Sequence, residues 1–399
     1  MPIELATRRN GVGGTPLGPR SVSRARPVRI VFLTVMPSPY QRELFHALQN
    51  SNQFDVRVLY YTPMAGDRDW NVSALAPFEK IMPGRTLTWF GRSAHINPGV
   101  IRTLEHAPAD LIVVSDYSAP TAQLVMRHLG RTGQPWVFWG EKPGFRDRGR
   151  LGEHLRRLLQ RPLRKASAIA AIGSWAVESY QVMVPGVPVV NIPYTCDLEP
   201  YRMAAEQGTR ATRSTTVDIL FSGQLIPRKG ADLLLEAFKR IADDLPELRL
   251  MLLGHGPERE RLAASVPSSL KDRVVFLGFL QPADLPAVFA AADLFVLPSR
   301  HDGWGVVVNE ALGAGLPIIA SDRVGAAHDL IRDGANGYIT PMGDAGALAE
   351  ALRRLGSSKS RREAFAATSR TLSKDWGLPS AVRRWVHLSE QCVAQGGRT

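Results

Sequence analysis

The sequence of 399 residues is poor in cysteine, with only Cys196 and Cys392, and it has no long apolar run. Two cysteines are too few for a disulfide framework or a cysteine-based metal site, which favours a reducing compartment. A membrane-spanning helix needs about 18 consecutive apolar residues, and residues 1–28 hold no apolar segment typical of a secretory signal. These absences predict a cytoplasmic protein without a membrane-spanning helix.

Familiar cofactor signatures are missing as well. No G-x-G-x-x-G follows the first strand pattern and no G-x-x-x-x-G-K-[ST] occurs, so neither a dinucleotide fingerprint nor a P-loop is supported. The sequence also has no H-E-x-x-H or similar cluster of metal ligands. We therefore expect no metal and no other cofactor.

The formal net charge of +12 is concentrated in two short segments. Residues 1–28 carry five arginines against one acid, a net +4, and residues 146–165 carry seven arginines and one lysine against two acids, a net +6. The excess therefore predicts local basic patches rather than a nucleic-acid-binding surface. Because residues 1–27 are also rich in Gly, Pro and Ser, we expect them to form a disordered basic tail.

Strand patterns alternate with helical patterns along most of the chain, and the length fits about two domains. The run from Val28 to Val35 is typical of a strand buried on both faces, and similar runs recur up to residue 200. Residues 201–216 are polar and without periodicity, so we expect a linker there. The alternation restarts in residues 217–377, and a helix in residues 378–399 is expected to complete the first domain. This order predicts an α/β protein of two Rossmann-like domains facing each other across a cleft.

The stretch from Pro298 to Ser321 has the features of a ligand site. A buried strand leads into a glycine-containing loop with Asp302 and then into a short helix with Glu310. The start of such a helix presents unpaired backbone N–H groups and a positive dipole end, which suit a phosphate. Asp302 and Glu310 can bracket the rest of that ligand. The alternative is that both acids only favour a helix N-terminus electrostatically.

Three other strands of the second domain also end in glycine or polar residues. The first is followed by Gly223, Gln224 and then Lys229, whose ammonium group can neutralise a departing diphosphate. The second ends in Gly254 and Gly256, and glycines allow the backbone to approach a ligand closely. The third ends in Gly278, Phe279 and Leu280. The carboxyl ends of parallel strands meet at one edge of a sheet, so these ends together predict one binding site. A solvated loop charge is the alternative interpretation of Lys229.

These motifs resemble those of the retaining nucleotide-sugar glycosyltransferases of family 4, which have the two-Rossmann-domain GT-B fold. FSGQLIPRKGADLLLEAF is similar to the family's G-R-L-x-x-x-K-G pattern, LLGHGPERERL to its G-x-G-P, and DGWGVVVNEALGAGLPIIAS to its acid-G-F-G-x-x-x-x-E-A-x-x-x-G-x-P-V signature. The resemblance covers roughly residues 28–390 and is specific from about 217 to 325. It implies transfer of a hexose, with retention and without a metal, to a glycan, lipid-linked or small-molecule acceptor in cell-surface polysaccharide or glycolipid synthesis.

The resemblance also implies roles for individual residues. Glu310 would accept hydrogen bonds from the ribose hydroxyls, Asp302 would contact the donor sugar, and Lys229 would compensate the diphosphate. The strand end near Phe279 would hold the base, and backbone N–H groups of residues 305–307 would hold phosphate oxygens. The implied donor-binding positions are Gly223, Gln224, Gly254, Gly256, Phe279, Gly303, Gly305, Val306 and Val307.

The sequence departs from the family pattern at several positions. Gln224 replaces the usual Arg, and Asp302 replaces the usual Glu and shortens its reach by one methylene. In the first domain, Glu141 follows the strand after which many members carry a His, so Glu141 is a candidate to face the reactive centre, and so is Asp116 after the preceding strand. The alternative, which is favoured for both acids, is a structural role. Pro39 and Tyr40 follow the first strand, where this fold binds acceptors.

Residues 150–165, RLGEHLRRLLQRPLRK, form a basic amphipathic pattern. Leu151, Leu155, Leu158 and Leu159 share one helical face and the arginines lie off it. Such a helix can bind an anionic membrane surface, which would make the protein peripheral at the inner face of the plasma membrane. The alternative is that the leucines pack on the first sheet and the arginines are merely solvated.

Two other functions remain as alternatives. A sugar-nucleotide epimerase shares the fold and approximate length, but its relatives carry G-T-R-P-E after the first strand, where this chain has MPSPYQRE. A nucleic-acid-binding protein would spread basic residues and aromatics over a groove, whereas the charge here is confined to two segments. The sequence leaves the base, the sugar and the acceptor open.

Overall fold

The structure is a computed structural model that describes residues 26–63, 74–89, 92–144, 149–208 and 216–396. Most of the expected disordered tail, residues 1–27, therefore lies outside the described residues. The same holds for residues 209–215 of the expected linker and for residues 145–148 at the start of the basic segment.

The N-terminal domain contains a seven-stranded parallel sheet in the order β3-β2-β1-β6-β7-β8-β9. Its central strands are buried along their length because helices cover both faces, and this explains their unbroken apolar sequences. A separate antiparallel hairpin, β4–β5, was not expected from the sequence. The strands are β1 Val28–Thr34, β2 Phe54–Tyr60, β3 Glu79–Ile81, β4 Arg85–Trp89, β5 Arg92–Ile96, β6 Leu111–Val114, β7 Trp136–Gly140, β8 Ala168–Ala171 and β9 Val189–Asn191.

The helices of this half begin at residues that suit a helix start. Pro39 and Pro120 occupy the first turns of α1 and α3, where the missing N–H leaves no hydrogen bond unmade. The helices are α1 Pro39–Asn50, α2 Val100–Glu105, α3 Pro120–Thr132, α4 Gly149–Gln160, α5 Ser174–Met183 and α6 Glu199–Gln207.

The C-terminal domain contains a six-stranded parallel sheet in the order β12-β11-β10-β13-β14-β15. Its strands are β10 Val217–Ser222, β11 Leu248–Leu253, β12 Val274–Gly278, β13 Leu294–Leu297, β14 Ile318–Ser321 and β15 Gly337–Thr340. Its helices are α7 Ala231–Ile241, α8 Arg259–Ala264, α9 Leu285–Ala291, α10 Val307–Gly313, α11 Ala327–Leu330, α12 Ala345–Gly356 and α13 Lys359–Ser373. The two parallel sheets confirm the expected α/β class. Strand β15 and helix α13 were not expected from the sequence.

The last helix, α14 (Leu378–Gly396), returns to the N-terminal domain and packs on helix α1. Its Trp385 is fully buried, with ring centroids 5.1 Å from Phe32 and 5.3 Å from Trp139. Both contacts are edge-to-face, an arrangement that aromatic rings favour. The core of the N-terminal domain therefore includes residues from the end of the chain.

The first part of the expected linker, residues 201–216, is helical, because helix α6 covers Glu199–Gln207. Arg202 pairs with Glu199 and with Glu206, the i,i+3 and i,i+4 spacings that stabilise a helix. Tyr201 is buried and packs edge-to-face on Phe289, at a centroid distance of 5.4 Å. The Arg202 ion pairs and the Tyr201–Phe289 contact together stabilise a helix in a segment whose composition is typical of a linker.

The two domains meet through specific polar contacts at the start of α5. Asp329 of the C-terminal domain accepts hydrogen bonds from the backbone N–H and the hydroxyl of Ser174, at 2.8 and 2.9 Å. Its other carboxylate oxygen accepts from Asn191 at 2.8 Å. These contacts hold the carboxyl edges of the two sheets on either side of a cleft. Within the described part of the chain, no helix is long and apolar enough to cross a membrane.

Candidate active site

A cavity of about 560 Å³ lies in the cleft between the two domains. Most of the residues singled out from the sequence line it, and they come from both sheets. These lining residues are Pro39, Tyr40, Glu141, Gly223, Gln224, Lys229, Gly254, Phe279, Asp302, Gly305, Val306, Val307 and Glu310. The carboxyl ends of the parallel strands therefore do bring these residues together, as the topology of such sheets requires.

Two glycines shape the C-terminal wall of the cavity. A Cβ on Gly254 would lie 2.0 Å from the carbonyl oxygen of Gly223, so only glycine lets these two strand-end loops pack together. Gly305 has a φ of 89°, in the left-handed region that favours glycine, and it directs the chain into helix α10. Val308 donates to the Gly305 carbonyl at 2.9 Å, and the N–H groups of residues 305–307 precede this first bond of the helix. The wall thus presents backbone donors next to the cavity.

Lys229 and Asp302 contact each other at the edge of the cavity. The Lys229 ammonium lies 2.5 Å from Asp302 Oδ2, and Arg228 lies 3.9 Å from the other carboxylate oxygen. Burial alone would raise the pKa of Asp302, but the charges of Lys229 and Arg228 outweigh it and hold that pKa below its ordinary value. Asp302 is therefore ionised at neutral pH. The ion pair also holds Lys229 at the edge of the cavity.

Glu310 lies on α10, with its Oε2 atom buried and without a hydrogen-bond partner among the described residues. The Tyr201 hydroxyl bonds to the same carboxyl group. Burial, with a smaller effect from the Glu43 carboxylate, raises the pKa of Glu310 to about 7. A buried acceptor without a donor is costly in a folded protein. Glu310 is therefore poised to accept hydrogen bonds from a hydroxyl-bearing ligand.

Glu43 of α1 brings a second carboxylate to this end of the cavity. It accepts a hydrogen bond from the Asp197 N–H at 2.7 Å, just before helix α6. Burial raises the pKa of Glu43 to about 7 as well. The N-terminal domain thus places an acid opposite Glu310, a proximity that nothing in the sequence indicated.

Phe279 forms an aromatic corner of the cavity with His255. Their ring centroids lie 5.3 Å apart and their planes are nearly perpendicular, at 86°. Phe279 directly follows the partly buried strand β12 and keeps 37% of its surface exposed. An exposed aromatic face beside a polar pocket is suited to the ring of a nucleobase.

The N-terminal wall reaches the C-terminal wall at Glu141. A Cβ placed on Gly303 would lie 1.7 Å from Glu141 Oε2, so the carboxylate lies directly against the backbone of the Asp302 loop. The Tyr180 hydroxyl donates to the Glu141 carbonyl at 2.8 Å and fixes this position. Glu141 therefore faces the centre of the cleft. Gly303, expected as a donor-binding position, contacts this side chain and does not line the first cavity.

A second cavity of about 390 Å³ adjoins the first and shares Glu141 with it. Asp116 lines this second cavity rather than the first. Its two carboxylate oxygens accept backbone hydrogen bonds from Ser118 and Ala119, at 2.8 and 2.9 Å, so it shapes its own loop. Gly256 lies behind the first cavity, where a Cβ would meet the Leu225 carbonyl oxygen at 2.5 Å. Among the residues with assigned positions, no group of three or more His, Cys, Asp or Glu can hold a metal ion.

Several residues that shape the site carry no signal in the sequence. Tyr201 and Glu43 lie in segments that were interpreted as a linker and as a plain helix. Trp304 is fully buried and donates to Asn309 at 2.8 Å, which ties the loop after Asp302 to helix α10. Its position between the two glycines of the signature was the available clue.

The comparisons with known proteins agree with this geometry. Residues 206–372 match the sequence model of the family Glycosyl transferases group 1. The chain is 30% identical over 203 residues to the phosphatidyl-myo-inositol mannosyltransferase of Mycobacterium leprae, a match that covers 50% of this chain and 53% of that protein. It is 35% identical over 159 residues to the sulfoquinovosyl transferase SQD2 of Arabidopsis thaliana, covering 38% and 30% of the two chains. The match to the mycobacterial relative thus spans about half of that protein's length, and the match to SQD2 spans less.

Solved structures match over nearly the whole chain. Sucrose-phosphate synthase from Thermosynechococcus elongatus has a TM-score of 0.72 at 20% identity, covering 92% of this chain and all of that one. Anabaena HepE in complex with UDP has a TM-score of 0.68 at 17% identity, covering 91% and 99%. At these identities the likeness establishes the fold, which is GT-B. The curated relatives give no support to the epimerase or the nucleic-acid-binding alternative. The sequence likeness to the glycosyl transferases group 1 family lies in residues 206–372, which include most of the C-terminal domain.

Proposed function

We propose that this protein is a retaining glycosyltransferase that moves a hexose from a nucleoside diphosphate sugar to a glycan, lipid-linked or small-molecule acceptor. One observation carries the proposal. Four strand ends of the C-terminal sheet place a cation, a row of backbone N–H groups and an unpartnered carboxylate oxygen around one cavity. The cation suits a diphosphate, the N–H groups suit the diphosphate oxygens, and the carboxylate oxygen suits the hydroxyls of a ribose.

In this proposal each residue of the C-terminal wall has one task. Glu310 accepts hydrogen bonds from the ribose, Phe279 packs on the base, and Lys229 together with the N–H groups of residues 305–307 binds the diphosphate. Asp302, held by Lys229, contacts hydroxyls of the sugar. Its carboxylate is one methylene shorter than the family's usual Glu, so this position is where donor selectivity is decided.

The transfer itself breaks the bond between the sugar C1 and the diphosphate oxygen and forms a bond from C1 to the acceptor oxygen on the same face. The acceptor hydroxyl loses its proton to the departing phosphate oxygen. Negative charge grows on that oxygen in the transition state, so fixed donors and the Lys229 ammonium stabilise the transition state more than the bound donor. Lys229 and the backbone N–H groups can supply this stabilisation without a metal ion or other cofactor.

Relatives supply the reasoning for the donor and the acceptor. A mannosyltransferase relative in Corynebacterium glutamicum is described as GDP-mannose-dependent, and the structural neighbour HepE holds UDP. Two of the relatives carry phosphatidylinositol in their names. We place the protein in cell-surface polysaccharide or glycolipid synthesis on the cytoplasmic side of the membrane, where its two buried free thiols stay reduced.

The basic segment 146–165 supports a peripheral membrane location. Helix α4 leaves Leu155 54% exposed, with Leu158 and Leu159 only half-buried, so this apolar stripe is not absorbed into the core. The side chain of Leu151 lies outside the described residues. A flotation assay at low salt is expected to show binding to anionic vesicles and little to neutral ones. Equal binding to both would remove this part of the proposal.

The activity is tested with a panel of UDP-, GDP- and ADP-sugars and a mixture of polyol and sugar acceptors. We expect release of one nucleoside diphosphate, with the anomeric configuration of the product, followed by NMR, the same as in the donor. Activity should persist in excess chelator. Inversion of the anomeric centre, or no turnover of any donor by a folded protein that also binds no nucleoside diphosphate, would contradict the proposal.

A further inference from the structure

The second cavity, of about 390 Å³, differs from the first in how its charges are distributed. It lies at the carboxyl edge of the N-terminal sheet and reaches across the cleft to His301 of the C-terminal domain. Its lining includes acids at one end and a lysine at the other. These charges indicate which kind of molecule the cavity can bind.

The inner end of the second cavity is acidic and adjoins the donor site. Glu141 lines both cavities and lies against the Gly303 backbone, so it marks the boundary between them. Asp116 and Ser115, directly after strand β6, line the same cavity. Carboxylates accept hydrogen bonds and repel anions, so this end suits the hydroxyl group of a neutral sugar or polyol.

The outer end of the second cavity is basic and is assembled from both domains. The Lys142 ammonium lies 4.5 Å from the centre of the Trp175 ring, and that ring stacks on His328 of the C-terminal domain at 4.8 Å. Arg156 of helix α4 reaches the same place, since a Cβ on Gly144 would lie 2.8 Å from its Nη1 atom. Lys142 is thus held by an aromatic ring that is itself fixed across the cleft.

The charges around Lys142 leave a local excess of cation. Burial lowers the pKa of Lys142, and the nearby Arg323 and Arg156 lower it further, while Glu178 opposes them. Arg156 is itself paired with Glu153 at 2.6 Å, and Arg323 lies 4.0 Å from Asp322. An anion bound beside Lys142 would relieve the repulsion among these cations and regain the interaction lost to burial.

We propose that the second cavity binds the acceptor and that this acceptor is bipolar: it presents a hydroxyl to Glu141 and carries a phosphate or carboxylate group beside Lys142. The inference deepens the proposed glycosyltransferase function and rests on it. Lys142 is a specificity-determining residue here, since it recognises the acceptor's charge and does not touch the bond that is made. The anionic group can belong to a soluble sugar phosphate or uronate, or to a lipid headgroup that reaches the cavity beside helix α4.

The test compares matched pairs of acceptor probes that differ in one charged group. Glucose 6-phosphate with glucose, and glucuronate with glucose, are titrated into the nucleoside diphosphate complex and followed by saturation-transfer NMR. The wild type is expected to bind the charged member at least about tenfold more tightly, since a hydrogen-bonded charge contributes about 1.5–3 kcal/mol. Lys142→Gln should lose that preference and leave the affinity for glucose unchanged. Lys80→Gln, at an exposed lysine of edge strand β3, is the matched control and should behave as the wild type.

A second pair of probes separates the two sources of the anion. Vesicles containing phosphatidylinositol in phosphatidylcholine are compared with pure phosphatidylcholine vesicles, with the same two variants. A Lys142-dependent preference for either the soluble or the vesicle-borne anion supports the inference and names its source. Undetectable binding of every charged probe, or a preference that survives in Lys142→Gln, would overturn it.

Nucleotide binding is recorded in the same samples and keeps the two proposals separable. If wild type and Lys142→Gln bind a nucleoside diphosphate equally but show no anion preference, the acceptor inference fails and the proposed function stands. If no nucleoside diphosphate binds, the proposed function itself fails. The melting temperature of each variant shows whether a change reflects the site or the fold.

Discussion

The two walls of the cleft achieve their site by different means. The C-terminal wall uses backbone geometry: glycines at strand ends, N–H groups at a helix start, and one ion pair between Lys229 and Asp302. The N-terminal wall uses side chains on a rigid aromatic base, in which Tyr194 lies 5.0 Å from both Tyr40 and Trp139. Short sequence motifs specify the C-terminal wall, whereas no such motif specifies the N-terminal wall.

In the proposed function, the difference follows from what each wall binds. The diphosphate is the same in most nucleotide sugars. The glycine loops that present N–H groups to it therefore need their glycines at fixed spacings in the sequence. Acceptors of different enzymes share no chemical group. The wall that binds them is therefore built from side chains positioned by tertiary packing, and these side chains have no fixed spacing in the sequence. The C-terminal wall is therefore expected to determine whether a donor binds, and the N-terminal wall which acceptor is used.

The largest expected effect is the loss of the cation of the C-terminal wall. Lys229→Ala should lower kcat by about 10²–10³-fold, the usual cost of one charge-stabilising donor in a transition state. The variant also leaves the buried Asp302 carboxylate without its nearest partner, so its melting temperature should fall, with Arg228 compensating in part. Steady-state kinetics must therefore be measured well below the variant's melting temperature.

Lys239→Ala is the matched control for this variant, because Lys239 pairs with Glu236 on the exposed surface of α7. It should retain wild-type kinetics and nearly wild-type stability. Activity of Lys229→Ala within about threefold of the wild type would mean that Lys229 is only a partner for Asp302.

A smaller effect is expected on the opposite wall. Glu141→Gln keeps the shape of the side chain against Gly303 and removes its charge, so kcat should fall about ten- to a hundredfold through the lost charge-assisted hydrogen bond to the acceptor. Nucleoside diphosphate affinity should stay unchanged, in contrast to variants of the C-terminal wall. Titration calorimetry beside the kinetics checks both. Glu105→Gln, at an exposed position of α2 in the same domain, serves as the control. A loss of nucleotide affinity in Glu141→Gln as large as its loss of kcat would contradict the division between the walls.

The smallest effect concerns the acids that face each other across the cleft. Burial raises the pKa of Glu310 and of Glu43 to about 7, above the ordinary value of 4.5. Their contribution to stability is therefore complete below about pH 4.5 and is lost as pH rises through 7, because the unfolded chain releases these protons first. Asp302, whose pKa is lowered, acts in the opposite sense and only in acid.

The nucleotide-free protein should accordingly melt at a higher temperature at about pH 5 than at about pH 8. Glu310→Gln, which cannot ionise, should make the melting temperature less dependent on pH over this range. Differential scanning calorimetry of both proteins at the two pH values measures the change. An identical pH dependence in wild type and variant would show that Glu310 ionises normally in the cleft.

Much of the fold was accessible from the sequence, since apolar runs between helical patterns dictate buried parallel strands. The C-terminal wall could also be predicted from the sequence, because Gly254, Gly305 and Glu310 occupy positions that a short motif can specify. Helix α6 in the segment 201–216 was not predicted, because the buried contact between Tyr201 and Phe289 that helps to hold it joins residues far apart in the sequence. Contacts of this kind are set by tertiary packing and leave no periodic trace.

The N-terminal wall was harder to predict from the sequence, because tertiary packing also sets its contacts. Glu43 meets the site only because α1 turns it toward the Asp197 backbone, and Asp116 was expected at the reactive centre although its oxygens cap its own loop. Lys142 becomes informative only when Trp175 is seen beneath it and His328 behind that ring. The contacts of Glu43 and Lys142 join distant stretches of the sequence, whereas the Asp116 cap is local.

The central claim is that the C-terminal wall holds the nucleotide through Glu310. Calorimetric titration of UDP, GDP and ADP into the wild type and Glu310→Ala tests it most directly, with Glu350→Ala on the exposed face of α12 as the control. The account predicts that at least one nucleoside diphosphate binds the wild type and the control alike, and binds Glu310→Ala about ten- to a hundredfold more weakly. Binding by none of the three, or equal binding to Glu310→Ala, would contradict it.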